Sequence, residues 1–312
     1  MAASLCWKSA VPIRDLWADD AAAREVARQV FFHLRPQRVL AGLLVGAILA
    51  SSGAALQAVF RNPLAEPYLL GISAGGALGA AIAVALKLPQ WGGFTAQVPL
   101  AFVGALGAST MVYRLGQPRG DFAFGFDRAG LLLCGVALSA FLSALMALVV
   151  TLSNPLLAQQ ITFWMLGDLT RAEWPEIRVL AIVLVTGTAL FLTAGRDIDA
   201  LQVGDEEAAS LGVEVKQVHR RLMIAASLMS AAAVAATGLI GFVGLLAPHL
   251  MRPLFGTRVR ALFPAAAIGG ATLLMLCDTL ARSALPPLEI PVGIITSLLG
   301  VPLFLWLARK QF

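Results

Sequence analysis

Few residues in this 312-residue sequence are placed to do chemistry. The three histidines, His33, His219 and His249, are scattered, and none has a nucleophile or metal partner nearby. Cys6, Cys134 and Cys277 lack metal-ligand spacing, and two of them lie in apolar runs, so neither a metal site nor a disulfide is expected. The only lysines are Lys8, Lys87, Lys216 and Lys310, and none follows a glycine. No phosphate-cradling Gly-x-x-x-x-Gly-Lys-Ser/Thr loop is present, so any ATP energy must come from a partner. An acid inside a span would suggest ion coupling. Asp278 is the main candidate, but Arg282 follows one turn on, and an i,i+4 pair near a span end is the simpler reading. The sequence predicts no enzyme. The net charge of +5 is no nucleic-acid signal here, because basic residues gather on the cytoplasmic loops of membrane proteins.

One polar stretch stands out. Residues 196–221 carry ten charged side chains in 26 positions, plus His219. The stretch belongs in water and is too long for a minimal turn between spans. Its centre, 205–212, reads as a short helix. Asp205, Glu206 and Glu207 fall at the N-terminal end, where the helix dipole favours acids. Ala208 and Ala209 are good helix formers, and Gly212 fits a C-terminal stop. A short capped helix between spans gives another protein something to push on. A solvated loop that happens to be helical accounts for the same residues.

The elements around this stretch are membrane spans. The chain is 59% hydrophobic and 13% charged, against roughly 25% charged in soluble proteins. A spanning helix needs about 20 mainly apolar residues. Residues 1–38 are mixed and read as an outer-face segment, with a short amphipathic helix over 19–32 that ends at Arg35-Pro36-Gln37-Arg38. They lack the compact apolar core of a signal peptide. Residues 39–312 then form the membrane domain. Its first span, 39–60, has 22 uncharged residues, with Gly42, Gly46 and Ala50 at fourfold spacing. That spacing lets a neighbouring helix approach closely, though generic packing uses it too. Two prolines bracket the turn at 61–67, where Asn62 and Glu66 offer polar contacts. Spans follow at 68–86 and 89–113, then a loop over 114–128. The uncharged run 129–167 is too long for one span. It reads as a span to about 152, a break at Ser153-Asn154-Pro155 and a short helix over 158–166 near the surface. Further spans are 174–194, the run 222–251 split near 238–241, 262–281 and 292–308. The result is an all-α bundle of nine spans.

Alternating the spans puts loops 61–67, 114–128, 195–221, 252–260 and the C-terminus on one side, with 13 Lys and Arg. The opposite loops hold four: Lys87, Arg171, Arg178 and Arg282. The positive-inside rule therefore places 195–221 in the cytoplasm. Six basic residues, Lys8 to Arg38, then fall outside with the N-terminus.

Ordered motifs carry a family resemblance. They are Arg35-x-x-Arg38, Gly53-Ala-Ala-Leu-Gln57, Asn62-Pro-Leu-Ala-Glu-Pro67 and Leu70-Gly-Ile-Ser73. Phe163-Trp-Met-Leu-Gly167, Ala208-x-x-Leu211-Gly212, Gly241-Phe-Val-Gly-Leu245 and Pro248-His249 follow. Asp278-x-x-Ala-Arg282 and Glu289-Ile-Pro-Val-Gly293 complete the series. Any one is weak, but in order over nearly 280 residues they make the chain resemble the FecCD-type permeases. These are the membrane subunits of ATP-binding-cassette (ABC) importers for ferric siderophores, haem and vitamin B12.

The resemblance implies ten spans per subunit and a bacterial inner-membrane homodimer in lipid. Two ATPase subunits would sit below, holding the ATP and magnesium, and a substrate-binding protein would dock outside; this chain itself would bind no cofactor. It assigns ATPase coupling to Gly204, Asp205, Glu206, Glu207, Ala208, Leu211 and Gly212. It assigns a cytoplasmic gate to Asn62, Pro63 and Leu64, with a second position at Arg128 and Ala129, where the similarity is weakest. Arg35, Arg38 and Arg282 match arginines that receive glutamates of the binding protein, a task suited to charge-assisted, bidentate pairing. Residues 1–34 match only the family's outer segment, so the family's first span is expected to be missing. Two other classes fit the bare spans: an ion-coupled secondary transporter, and a degenerate permease that transports nothing.

Overall fold

A backbone inside a bilayer must satisfy its own polar groups, so uncharged runs of this length become helices. The structure, a computed structural model, describes residues 13–17, 20–116, 128–285 and 288–311. We label the helices α1 (Ala21–Phe60), α2 (Ile72–Ala85), α3 (Gln97–Leu115), α4 (Arg128–Leu152), α5 (Pro155–Met165) and α6 (Trp174–Thr193). There follow α7 (Gly195–Val203), α8 (Asp205–Ser210), α9 (Val215–Thr237), α10 (Val243–Phe255), α11 (Val259–Ser283) and α12 (Val292–Gln311). Most of the loop expected at 114–128, together with Cys6 and Lys8, lies outside the described residues.

Among the described residues, five helices, α1, α3, α4, α6 and α11, are long and apolar enough to cross a membrane, so the protein is multi-pass. The helix in the span read at 68–86 is shorter than a crossing, as is the one after the 238–241 split, where a shorter helix is expected. The corresponding α2 and α10 have 14 and 13 residues, about 20 Å each against a hydrocarbon core of about 30 Å.

The first helix departs from expectation. It does not end at Arg35-Pro36-Gln37-Arg38 but continues unbroken from Ala21 to Phe60. Asp20 caps its start by accepting a hydrogen bond from the Ala22 N–H at 3.0 Å. A proline inside a helix lacks an N–H and crowds the carbonyl four residues back. Just before Pro36 the helix widens into a π turn over Val30–Leu34, and the Arg35 N–H reaches back to the Val30 carbonyl. The wider turn accommodates the proline, so the helix runs on into the first uncharged run.

Helix α1 is the centre of the bundle and packs against α11, α9, α10 and α6. Glycine makes those approaches possible. A Cβ on Gly46 would lie 2.8 Å from the Gly270 carbonyl carbon, and one on Gly53 would lie 2.6 Å from that of Gly244. The fourfold spacing of small residues therefore serves specific close contacts. By contrast α4 turns Leu133, Val136, Phe141, Leu148 and Leu152 outward, a surface that lipid or another protein must cover.

The split expected near 238–241 is present: α9 ends at Thr237 and α10 begins at Val243. Gly244 touches the Leu49 carbonyl and Gly53, so the break lies level with the middle of the uncharged run 39–60. Irregular backbone at that depth persists only where protein groups satisfy it. Here they do. The Asp168 N–H donates to the Thr237 carbonyl at 2.8 Å. The Tyr68 hydroxyl accepts from the Ile240 N–H and donates to the Ile240 carbonyl, both at 2.7 Å. The Phe242 N–H donates to Glu66 Oε1 at 2.5 Å. Phe242 holds a left-handed φ of 66°, a strained conformation for a residue with a Cβ.

Candidate functional site

The polar stretch folds as two short helices and the opening turns of a third. Helix α7 over Gly195–Val203 was not legible in the sequence; it packs Ile198 and Leu201 into the core. Gly204, extended and buried, leads into α8, whose first turn holds Asp205, Glu206 and Glu207. Ala208 is fully buried, while Glu206 and Glu207 face solvent. The helix stops where expected: Gly212 takes φ 84°, and its N–H bonds the Ala209 carbonyl at 2.9 Å. Val203 and Leu211 flank α8 and are 75% and 74% exposed, two large apolar side chains held out on an otherwise charged loop. Residues 215–221, read as loop, are already helical and begin α9 below its uncharged run.

Asp205 does not face solvent with its two acidic neighbours. It accepts from Arg61 Nη2 at 2.6 Å and from Arg128 Nη2 at 2.8 and 2.9 Å. Arg61 ends α1 in a left-handed conformation, φ 46°, and its Nε donates to the Leu201 carbonyl at 2.9 Å. Arg128 opens α4, and its Nε donates to the Val59 carbonyl at 3.0 Å. His219, buried on α9, places Nε2 3.5 Å from Asp205 Oδ1. Burial drives the His219 pKa down to about 4 and the two arginines add to that, while Asp205 opposes it, so the ring is neutral at pH 7. Asp205 and Arg128, expected in separate coupling and gate groups, are thus directly bonded.

The turn after Arg61 is built by its own side chains. Asn62 Oδ1 accepts from the Leu64 N–H at 2.9 Å, and the Ala65 N–H closes onto the Asn62 carbonyl at 3.0 Å. Leu64 packs against Leu245 and Leu246 of α10, a cluster that Leu303 and Phe304 of α12 also join. Pro63 lies half-buried beside it, and Ala129 is exposed at the start of α4. The turn is therefore held at both ends: by Arg61 on Asp205, and by Glu66 and Tyr68 on the 238–242 break.

At the other end of α1, Arg38 donates from Nε to Asp278 Oδ1 at 3.0 Å and from Nη1 to Glu289 Oε2 at 2.7 Å. Arg282 Nε lies 3.2 Å from Asp278 Oδ2, the i,i+4 pair read from the sequence. Asp278 is completely buried between the two arginines, and the Arg38 side chain is 14% exposed. Arg35 is buried, its guanidinium 3.7 Å from the Phe31 ring centroid. The three arginines expected to receive an outside partner are thus engaged within the chain. Sequence reasoning passed over Arg61, Tyr68 and His219. Arg61 and Tyr68 flank the Asn-Pro-Leu turn, and that adjacency was the available signal. Nothing local marks His219.

Comparison with known proteins agrees with this architecture. The family model described as the FecCD transport family matches residues 1–310, so the similarity extends through residues 1–34 as well. The hemin transport system permease protein HmuU of Yersinia pestis is 40% identical over 300 residues, covering 96% of this chain and 88% of that one. The cobalamin import system permease protein BtuC of Halobacterium salinarum is 40% identical over 287 residues, covering 92% and 75%. A metal-chelate type ABC transporter solved in an inward-facing conformation superposes with TM-score 0.81 at 32% identity, covering 98% of this chain and 94% of that one. Asp278, paired on both sides, is not the lone acid that an ion-coupled carrier requires. A helical bundle carrying these motifs in order, matched along its length, is a multi-pass membrane permease of the ABC-importer type, and the chain belongs to the FecCD transport family.

Proposed function

We propose that the chain is one half of a homodimeric permease in the bacterial inner membrane, importing a metal chelate by alternating access. The cargo class is the one named for its relatives: haem for HmuU, cobalamin for BtuC and a metal chelate for the structural neighbour. Two ATPase subunits on the cytoplasmic face hold the ATP and magnesium, and a binding protein delivers cargo from outside. The observation that carries this reading is the shape of α8. Its back is fixed by Ala208 and Asp205, while Val203 and Leu211 project into solvent around Glu206 and Glu207. Large apolar side chains held rigidly in water are suited to burial in a partner. Gly204 and Gly212 bound this segment, which transmits closure of the ATPases.

Asn62, Pro63, Leu64, Arg128 and Ala129 form the cytoplasmic gate. Arg35, Arg38 and Arg282 form the outer docking face, where an incoming carboxylate would take the place that exposed Glu289 occupies on Arg38. The test is co-purification with the ATPase from the same source, followed by ATP hydrolysis with a panel of loaded binding proteins. A stable complex stimulated by one cargo is expected, and Gly212→Arg should weaken that stimulation. Absence of any complex with the intact chain would overturn the reading.

A further inference from the structure

Two cations from different spans converge on one carboxylate of α8. Arg61 leaves the inner end of α1 and Arg128 the inner end of α4. Each is fixed by its Nε on a backbone carbonyl, Leu201 for Arg61 and Val59 for Arg128, which aims its terminal nitrogens at Asp205. The buried His219 ring closes the third side. Removing the carboxylate charge would leave two guanidiniums facing each other across a half-buried site with no compensating charge between them, an arrangement that drives them apart. Arg128 also ties α4 to α1 directly through the Val59 carbonyl, so the position of Asp205 sets where the charged ends of the two arginines meet.

We propose that Asp205 is the positioning residue through which displacement of α8 reaches the gate. This rests on the reading of α8 as the segment that the ATPases push. Ala208, fully buried one turn on, makes α8 move as a unit with its surroundings. The 61–67 turn has one movable anchor and one fixed one. Its inner end follows Asp205 through Arg61, while Glu66 and Tyr68 tie its outer end to the 238–242 break. Movement of the first anchor against the second repacks Leu64 on Leu245 and Leu246. Arg128 transmits the same displacement to α4, beginning at Ala129. Coupling then passes through a discrete ionic joint rather than through diffuse deformation.

The test uses the full transporter with its ATPase subunits in liposomes, with Leu64→Cys as the only accessible thiol. A membrane-impermeant maleimide reads access to position 64 with and without ATP, and hydrolysis is measured on the same sample. The reported quantity is the ATP-dependent change in labelling per ATP hydrolysed. Asp205→Asn, which keeps the shape and removes the charge, should lower it by about tenfold, within the usual range of coupling factors. Asp205→Glu should restore at least about half, by re-forming a charge-assisted pair. A ratio unchanged in Asp205→Asn would overturn the proposal. If that variant fails to assemble, Arg128→Gln, which leaves the Arg61 pair intact, should give an intermediate ratio, and a parental ratio would overturn it. A parent complex that hydrolyses ATP with no change at position 64 would instead overturn the underlying assignment of α8 and the gate.

Discussion

Replacing glycine by alanine at two positions should move stability in opposite directions, and the structure gives the size of each effect. A Cβ at Gly53 would lie 2.6 Å from the Gly244 carbonyl carbon and 2.7 Å from its Cα, where ordinary contact begins near 3.4 Å. The Gly244 carbonyl oxygen lies closer still, and the obstacle is backbone that cannot rotate away, so α1 and α10 must separate by more than about 0.8 Å. Overpacking of this kind costs about 1–3 kcal/mol, and a rigid neighbour puts it at the upper end. Alanine recovers about 1 kcal/mol of helix propensity, leaving a net loss of about 2 kcal/mol. At Gly107, on α3, a Cβ would meet nothing within 4 Å. There the propensity term acts alone and the variant gains about 0.5–1 kcal/mol. The two variants should differ by nearly 3 kcal/mol, or roughly 6–12 °C in melting temperature at the few degrees per kcal/mol of large domains. Thermal unfolding in mild detergent, followed by a thiol-reactive dye with Cys6 and the partly exposed Cys134 replaced by serine, reports this directly, because Cys277 is buried until the bundle opens. Gly53→Ala melting with the parent, or both variants falling together, would refute the close-approach argument. The contact also bears on function, since it lies beside the 238–242 break that Tyr68 and Glu66 hold.

Tyr68→Phe removes the one hydroxyl that serves both Ile240 backbone groups. It should cost about 2–4 kcal/mol, because both groups are left unsatisfied away from water; an unchanged detergent melt would show that the break is held by other means. Arg38→Glu would set a third carboxylate beside buried Asp278 and exposed Glu289. A loss of about 3–5 kcal/mol is expected, and Arg38→Gln combined with Asp278→Asn should recover part of it; folded Arg38→Glu protein melting like the parent would contradict this. His219 has a folded pKa of about 4 against an ordinary value of 6.5. The neutral ring is therefore favoured in the fold. Its contribution is complete above pH 6.5 and is lost as pH falls from 6.5 towards 4, by at most about 3 kcal/mol. His219→Gln should flatten the pH dependence of unfolding in that window, and an identical acid limb would remove His219 as its cause.

Most of the spans, the break at 238–242 and the short helix of the polar stretch were legible because their signals are local. Uncharged length marks a span, clustered glycine marks an interruption, and acids followed by alanines and a glycine mark a capped helix. The course of α1 through Pro36 was not legible. A proline reads as a stop, and the π turn that accommodates it leaves no residue signature. The ionic joints were hidden for another reason. Arg38 meets Asp278 across 240 residues, Arg61 meets Asp205 across 144, and Arg128 meets Asp205 across 77. At each span end the sequence showed a charge that marked the boundary but not what that charge would meet.

Those boundary charges have a further consequence for α1. Arg38 and Arg61 are 23 residues apart, which on a helix is about 35 Å and close to the thickness of the hydrocarbon core. Both lie at ends of the uncharged run, and both pair with a distant acid, Asp278 at one end and Asp205 at the other. Between them α1 is held by small-residue contacts with Met275, Gly270 and Gly244. These contacts supply close packing where lipid gives helices no hydrophobic reason to associate. The two ends differ in what they are tied to. Asp278 is buried within the long helix α11, while Asp205 rides on a six-residue helix whose Glu206 and Glu207 face solvent. The Asp278 joint is therefore the more deeply fixed end of α1 and the Asp205 joint the more accessible one, as the role proposed for α8 requires.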